Sequence, residues 1–327
     1  MTTNVVKAVT EHPKDISIEM LKFFAAIIIV NSHMGKLYVH FPQLATGGAI
    51  GDAIFFFCSG YTLFLSRRRS FDNYYKRRIV RIYPAVFAWA ILSSFFLDNK
   101  MSMKEIVLSG GGWFVSCIMI YYILFWFVHR YCMGKLNIVL GAVFGMSVIW
   151  FFLFDSNSGY INIYGEGTAR FIFYFGFMLF GGIVGCSNYI KVRPIKTSTI
   201  MFCLSIIAFY SILMVSSLLK AYWQVQILTL VAIGGGVFYG WSLCKSSVVE
   251  KLYTKYKIFG FVGGLCLEMY IVQFSLFTTK MNFLFPLNLL LMLAIVIGAA
   301  YLLKCSTRLF EQTFRVEDID WRKIIKM

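Results

Sequence analysis

Mostly apolar stretches of about span length recur ten times along the chain, near 18–39, 47–66, 82–98, 113–131, 136–154, 169–188, 199–218, 222–243, 258–279 and 284–303. A helix of about 20 residues at 1.5 Å per residue crosses the ~30 Å hydrocarbon core of a bilayer. Each stretch therefore predicts a membrane-spanning helix. The third is short and the eighth contains Gly234-Gly235-Gly236, so these two are expected to be the least regular. The connections are mostly short, which predicts one compact all-α, polytopic transmembrane bundle over 1–327 rather than separable domains. Residues 1–17 form an N-terminal segment and 304–327 a tail. The first apolar run is as long as a span and lacks an A-x-A cleavage site, so it reads as an uncleaved helix.

Composition agrees with this pattern. Of 327 residues, 59% are hydrophobic and 14% charged, against roughly 25% charged in a soluble domain. A disordered chain, a disulfide scaffold and a soluble coiled coil are excluded by the same figures. The net charge of +16 raises nucleic acid as a partner, but no basic stretch lies outside a short loop, and the positive-inside rule accounts for the excess. With the N-terminus cytoplasmic, 24 Lys and Arg fall in inside segments and six outside. Both termini are expected to be cytoplasmic, with the bilayer as the surrounding partner and no nucleic acid. The eight cysteines form no C-x-x-C pair and no cluster with metal-ligand spacing, so neither a disulfide framework nor a metal is expected.

Ionisable side chains are costly inside a bilayer and mark candidate chemistry. The first span carries Glu19, Lys22 and His33. Glu19 and Lys22 stand at i, i+3, a spacing that permits a local ion pair, and Lys22 alone can snorkel to the interface. His33 follows Lys22 by 11 residues, about 20° from three whole turns, so the two share a face roughly 16 Å apart along the axis. One face thus offers a cation near the cytoplasm and an imidazole deeper in, which suits a ligand lying along a channel. A histidine hydrogen-bonding between helices is the plainer alternative. The second span holds Asp52, Ser59 and Gly60, and small residues there let helices approach closely. It is followed by the densest basic run, Arg67 to Arg81, in which Arg78 and Arg81 stand at i, i+3 before Tyr83-Pro84. Paired guanidinium forks are well suited to phosphates. The ninth span carries Glu268 and Gln273, and a buried Glu must be protonated, paired or wet.

These residues resemble the integral-membrane acyltransferase 3 family, which includes bacterial sugar O-acetyltransferases. Ile18-Glu19-Met20-Leu21-Lys22 with ten residues before His33 is similar to its acidic-x-x-Arg-x10-His signature. Phe55-Phe56-Phe57-Cys58-Ser59-Gly60 is similar to its Phe-Phe-x-x-Ser-Gly, and Arg78-Ile79-Val80-Arg81-Ile82-Tyr83-Pro84 to its Arg-x-x-Arg-x-Tyr-Pro. Trp113-Phe114, Leu267 to Gln273 and Leu309-Phe310-Glu311 are weaker echoes. There are departures. Lys22 stands for the signature arginine, keeping the charge without the planar fork. The acidic residue often found two before the Phe-Phe pair is Ala53, with Asp52 one position off and turned by about 100°. Gln273 stands where relatives often have histidine. The extracellular hydrolase-like domain fused to some relatives is not expected.

The resemblance implies transfer of an acetyl group from cytoplasmic acetyl-CoA to a hydroxyl of an extracytoplasmic or lipid-linked glycan, with no tightly bound cofactor. In that reading Arg78, Arg81 and Tyr83 lie at the CoA site. The pantetheine arm passes Lys22 and Ser59, and His33 acts as general base or transient acyl acceptor. Glu19, Asp52 and Glu268 are further candidates. The expected location is a cell membrane, a bacterial inner membrane by the family. A transporter or flippase for a glycan or small molecule, with His33 and Glu268 binding cargo or protons, is the competing class. It leaves the Arg-x-x-Arg-x-Tyr-Pro motif unexplained.

Overall fold

The computed structural model describes residues 15–66, 70–97, 101–156, 161–187, 190–313 and 318–326. Among them every regular element is helical, in the order α1 (Ile16–His33), α2 (Gly48–Phe64), α3 (Phe71–Phe96), α4 (Met103–Ser109), α5 (Gly112–Tyr131), α6 (Leu136–Trp150) and α7 (Arg170–Cys186). There follow α8 (Ile195–Leu218), α9 (Thr229–Cys244), α10 (Ser247–Lys255), α11 (Ile258–Gly263), α12 (Cys266–Leu276), α13 (Leu287–Thr313) and α14 (Trp321–Ile325). Eight helical stretches are long and apolar enough to cross a membrane, and the shorter apolar α7 and α12 coincide with two further predicted spans. In a bilayer only such internally hydrogen-bonded segments are tolerated.

Four boundaries differ from the expected ones for identifiable reasons. The first helix stops at His33, with the Met34 N–H capping Asn31 and a single 3-10 turn at Gly35–Leu37. α3 begins at Phe71, because its first turns carry the polar and basic residues that hydropathy does not count as membrane. The Gly234-Gly235-Gly236 run stays inside α9, and the irregular part lies before it as a 3-10 segment, Lys220–Leu228. The ninth span is broken at Gly264-Leu265 into α11 and α12. Broken helices survive at membrane depth where the freed backbone lines a cavity or is buried in protein.

α1 lies at the centre, against α2, α9, α11 and α12, while α2 runs along α7 and α12 packs on α13 and α3. Asp15 fastens the start of α1 to its neighbours. It accepts hydrogen bonds from the Ser17 N–H at 3.0 Å, from Tyr61 of α2 at 2.9 Å and from Lys245 at 2.6 Å. Burial pushes its carboxyl up, but the bonds from Lys245, Ser17 and Tyr61 outweigh that and hold it below the usual carboxylate range. At the C-terminal side α14 docks back on α13. Ile324 is buried and Tyr301 donates to the Ile325 carbonyl at 3.0 Å. The C-terminal segment thus covers a protein surface. Arg67, Arg68 and Arg69 of the basic run lie outside the described residues.

Candidate active site

A cavity of ≈ 350 Å³ opens among α1, α2, α3, α5, α13 and the α11–α12 break, at the end of the bundle where α1 begins and α13 ends. Lys22, Arg78, Arg81, Lys304 and Arg308 bring five cations to its wall, against the two carboxylates of Glu19 and Glu268. Both carboxylates are paired. Lys22 meets Glu19 at 2.9 Å, as their i, i+3 spacing permits, and Lys304 meets Glu268 at 2.5 Å. Arg78, Arg81 and Arg308 remain without a counter-charge from the lining. A concave wall with three uncompensated guanidinium groups is an anion site, and the forked geometry favours phosphate.

Each arginine is presented differently. Arg78 lies over the rings of Tyr74, at 5.4 Å, and Tyr122, at 5.7 Å, with its Nε buried and unpartnered. Those two aromatic faces orient the fork at little entropic cost. Arg81, one helical turn on, is exposed. Arg308 donates from Nη1 to the carbonyls of Ile324 and Lys326, at 3.0 and 2.6 Å, so the C-terminal segment holds it at the rim. Deeper in, the adjoining hydroxyls of Ser59 and Tyr122 supply neutral polar contacts. Phe55, Phe114 and Ile118 form an apolar wall. The helix break contributes Gly260, Gly263 and Gly264. A side chain at Gly263 would place its Cβ 2.7 Å from the Glu19 carbonyl oxygen, so the break can press against α1 only with glycine there.

The structure thus brings Glu19, Lys22, Ser59, Arg78, Arg81 and Glu268 into one cavity. It places three other candidates elsewhere. His33 is the last residue of α1, exposed, its ring 4.5 Å from that of Phe274 on α12. α1 is unbroken from Lys22 to His33, so the imidazole stands farther along the same helix. Tyr83 turns away from the cavity and donates to the Val107 carbonyl at 3.1 Å, tying α3 to α4. Asp52 lies nearer the start of α2, with its Oδ1 buried and unpartnered. Lys304, Arg308 and Tyr122 were not singled out in the sequence. The first two look like ordinary inside-loop cations, and only the unmatched charge of Glu268 hints that one of them faces inward.

A protein-family model, an acyltransferase domain, matches residues 15–305, a range that holds His33 and every residue of the cavity wall except Arg308. The chain belongs to the acyltransferase 3 family. No curated protein and no solved structure matches it. It is a multi-pass membrane acyltransferase, and Glu19 and Lys22 of α1, Ser59 of α2 and Arg78 and Arg81 of α3 line the cationic cavity, while His33 and Tyr83 of the same motifs do not.

The Glu268–Lys304 pair carries a stability prediction for this acyltransferase. Glu268 is 2% exposed and Lys304 29%, so removing the lysine strands the more deeply buried charge. Breaking a buried pair from one side costs about 3–5 kcal/mol. Lys304→Met is expected to fall at the lower end of that range and Glu268→Gln to cost less. The double variant is expected to recover most of the loss. Thermal unfolding of the purified protein checks the order, and equal effects from the two single variants would refute it.

Proposed function

We propose that the protein transfers an acetyl group from cytoplasmic acetyl-CoA to a hydroxyl of an extracytoplasmic or lipid-linked glycan. The observation that carries this reading is the convergence of Arg78, Arg81 and Arg308 on a cavity whose carboxylates are already neutralised. A donor bearing a pyrophosphate and a 3′-phosphate matches that charge. Its pantetheine arm runs past Lys22 and Ser59, and its thioester approaches the half of α1 that carries His33.

In direct transfer His33, as neutral imidazole, takes the proton of the acceptor hydroxyl as the oxygen adds to the thioester carbonyl. The tetrahedral intermediate then expels the CoA thiolate, which recovers the proton from the imidazolium, leaving an ester and free CoA. If His33 is itself acylated first, the imidazole nitrogen displaces the thiolate; the acceptor oxygen then displaces the imidazole, and the hydroxyl proton it gives up ends on the CoA thiolate. Both routes need His33 and neither needs it for donor binding.

The test is acetyl-CoA binding and CoA release by the protein in nanodiscs. His33→Ala is expected to bind the donor nearly as wild type does and to release CoA more slowly by about 10²–10⁴-fold, the usual worth of a positioned acid–base group. A wild-type protein with no affinity for acetyl-CoA would sink the proposal and make transport the leading reading.

A further inference from the structure

The C-terminal segment returns along the helix that brings Lys304 and Arg308 to the arginine cavity. Near the end of α13, Gln312 clasps the backbone of Asp320 from both sides. Its Nε2 donates to the Asp320 carbonyl at 3.4 Å, and its Oε1 accepts from the Asp320 N–H at 2.7 Å. Farther along the segment, Tyr301 donates to the Ile325 carbonyl at 3.0 Å. Tyr301, Arg308 and Gln312 stand at i, i+7 and i+11, within about 20° of one line along the helix. The segment therefore runs antiparallel to α13, from its end back toward the cavity. Ile324 is its anchor, 4% exposed, whereas Trp321, Arg322, Lys323 and Ile325 are exposed. The Asp320 carboxylate braces the turn from within, accepting from the N–H groups of Arg322 and Lys323 at 3.0 and 3.2 Å.

Arg308 stands between these two fastenings. Both of its hydrogen bonds leave from Nη1, to the carbonyls of Ile324 and Lys326. The last carbonyls of a helix have no intrahelical partner, so α14 needs such a donor as much as Arg308 needs acceptors. A guanidinium carries five N–H groups, and those on Nη2 and Nε stay available on a side chain that lines the cavity. The nature of the partner matters. Lys22 and Lys304 are held by carboxylates that cancel their charge, and Arg78 is held by the rings of Tyr74 and Tyr122. Arg308 is held by neutral carbonyls, which orient the fork and leave its full charge for an anion. Among the five cations of the wall it is the one whose orientation is set by a segment outside the bundle.

We infer that the segment Asp320–Lys326 is a strap that sets the affinity of the cavity for a phosphate-bearing ligand by holding Arg308 in its binding orientation. An arginine that is free in solvent must be ordered at the moment of binding, and that ordering costs about 3–10-fold in affinity per side chain. A docked strap has met the cost beforehand. The coupling must run in both directions. If the docked strap tightens the anion by some factor, the bound anion tightens the strap by the same factor. Ile324, Gln312 and Tyr301 are therefore positioning residues that act through Arg308, although none of the three lines the cavity. That the anion is the CoA donor rests on the acetyl-transfer reading, whereas the coupling of strap to anion does not.

The experiment reads two quantities on the full-length protein in nanodiscs. One is the affinity for acetyl-CoA and, separately, for inorganic pyrophosphate. The other is the rate of tryptic cleavage after Arg322 and Lys323, followed by mass spectrometry, which reports how often the strap leaves α13. Ile324→Asp removes the anchor, and Gln312→Ala removes the clasp at the far end from the cavity. Both are expected to speed cleavage and to weaken acetyl-CoA about 3–10-fold. Arg308→Ala should weaken it about tenfold or more, the worth of a hydrogen bond to a charged group. Adding Ile324→Asp to Arg308→Ala should weaken it no further, because the strap acts through that side chain. In wild type, saturating acetyl-CoA should slow cleavage by about the factor that Ile324→Asp costs in affinity, and in Arg308→Ala it should not. A strap that is cleaved faster while affinity is unchanged or increased would overturn the inference, as would additive losses in the double variant. If acetyl-CoA does not bind but pyrophosphate does, with the same dependence on Ile324 and Arg308, the strap is upheld and the donor refuted. Binding of neither refutes both.

Discussion

Arg78→Ala/Arg81→Ala is expected to lose acetyl-CoA binding by about 10²–10⁴-fold, because each lost charge-assisted hydrogen bond is worth about 1.5–3 kcal/mol. The size of the effect follows from the charge inventory of the cavity. Lys22 and Lys304 are held by Glu19 and Glu268, so neither lysine replaces a missing arginine without abandoning its carboxylate. Arg308 alone would remain. The weakened binding should also be less sensitive to salt than wild type, since fewer exposed charges contribute to it. The single variants should separate packing from charge. Arg78 is sandwiched against Tyr74 and Tyr122, so Arg78→Ala loosens α3 against α5 as well as removing a charge. Arg81 is exposed, so Arg81→Ala should leave the unfolding temperature unchanged while weakening the donor. Arg78→Lys keeps the charge and loses the planar fork, and should fall between wild type and Arg78→Ala. Isothermal titration with acetyl-CoA and with its 3′-dephospho analogue measures all of this. If the double variant binds acetyl-CoA as wild type does, the arginine cavity is not the donor site.

Eight of the ten predicted spans match helices long and apolar enough to cross a membrane, and they were legible because hydropathy over some 20 residues is a strong local signal that the bilayer imposes directly. What hydropathy cannot register is backbone continuity. Gly234-Gly235-Gly236 looked like a weak point, yet α9 runs through it because the neighbouring helix covers the exposed backbone. A Cβ at Gly235 would stand 2.6 Å from the Ser205 hydroxyl. The break at Gly264-Leu265 had no comparable sequence mark beyond Gly263-Gly264 itself. The site divides in the same way. The Glu19–Lys22 pair is i, i+3 on one helix and could be read from spacing. The Glu268–Lys304 pair joins α12 to α13 across a separation of 36 residues, a distance at which a single sequence carries no geometric information. Arg308 was hidden for another reason. A cytoplasmic arginine satisfies the topology rule so well that nothing asks it for a second role. Tyr83 shows the reverse case, a motif residue whose hydroxyl serves the α3–α4 connection rather than the cavity.

Gly60→Ala should be among the most damaging single-methyl additions in the protein. α2 and α7 approach until their backbones touch. A Cβ at Gly60 would lie 1.7 Å from the Met178 carbonyl oxygen, and one at Gly181 only 1.9 Å from the Phe57 carbonyl oxygen. The contact is reciprocal, each helix placing a glycine against the other's main chain, so no flexible side chain can swing aside. Within a bilayer there is no hydrophobic drive to hold two helices together, and close backbone packing is what stabilises them. Overpacking costs about 1–3 kcal/mol where side chains yield and more where they cannot. Gly60→Ala and Gly181→Ala are each expected at or above the top of that range, seen as a large fall in unfolding temperature and loss of monodisperse protein in detergent. Gly141→Ala and Gly298→Ala are the controls. Nothing lies within 4 Å of a Cβ at either position, so both should be neutral or stabilising by about 0.5–1 kcal/mol. The consequence reaches the chemistry, because α2 carries Asp52, Phe55 and Ser59 on the same rigid rod. Moving it away from α7 displaces Ser59 in the arginine cavity and opens the Phe55–Phe114 wall together. A Gly60→Ala protein as stable as wild type would mean that the two helices are not in backbone contact.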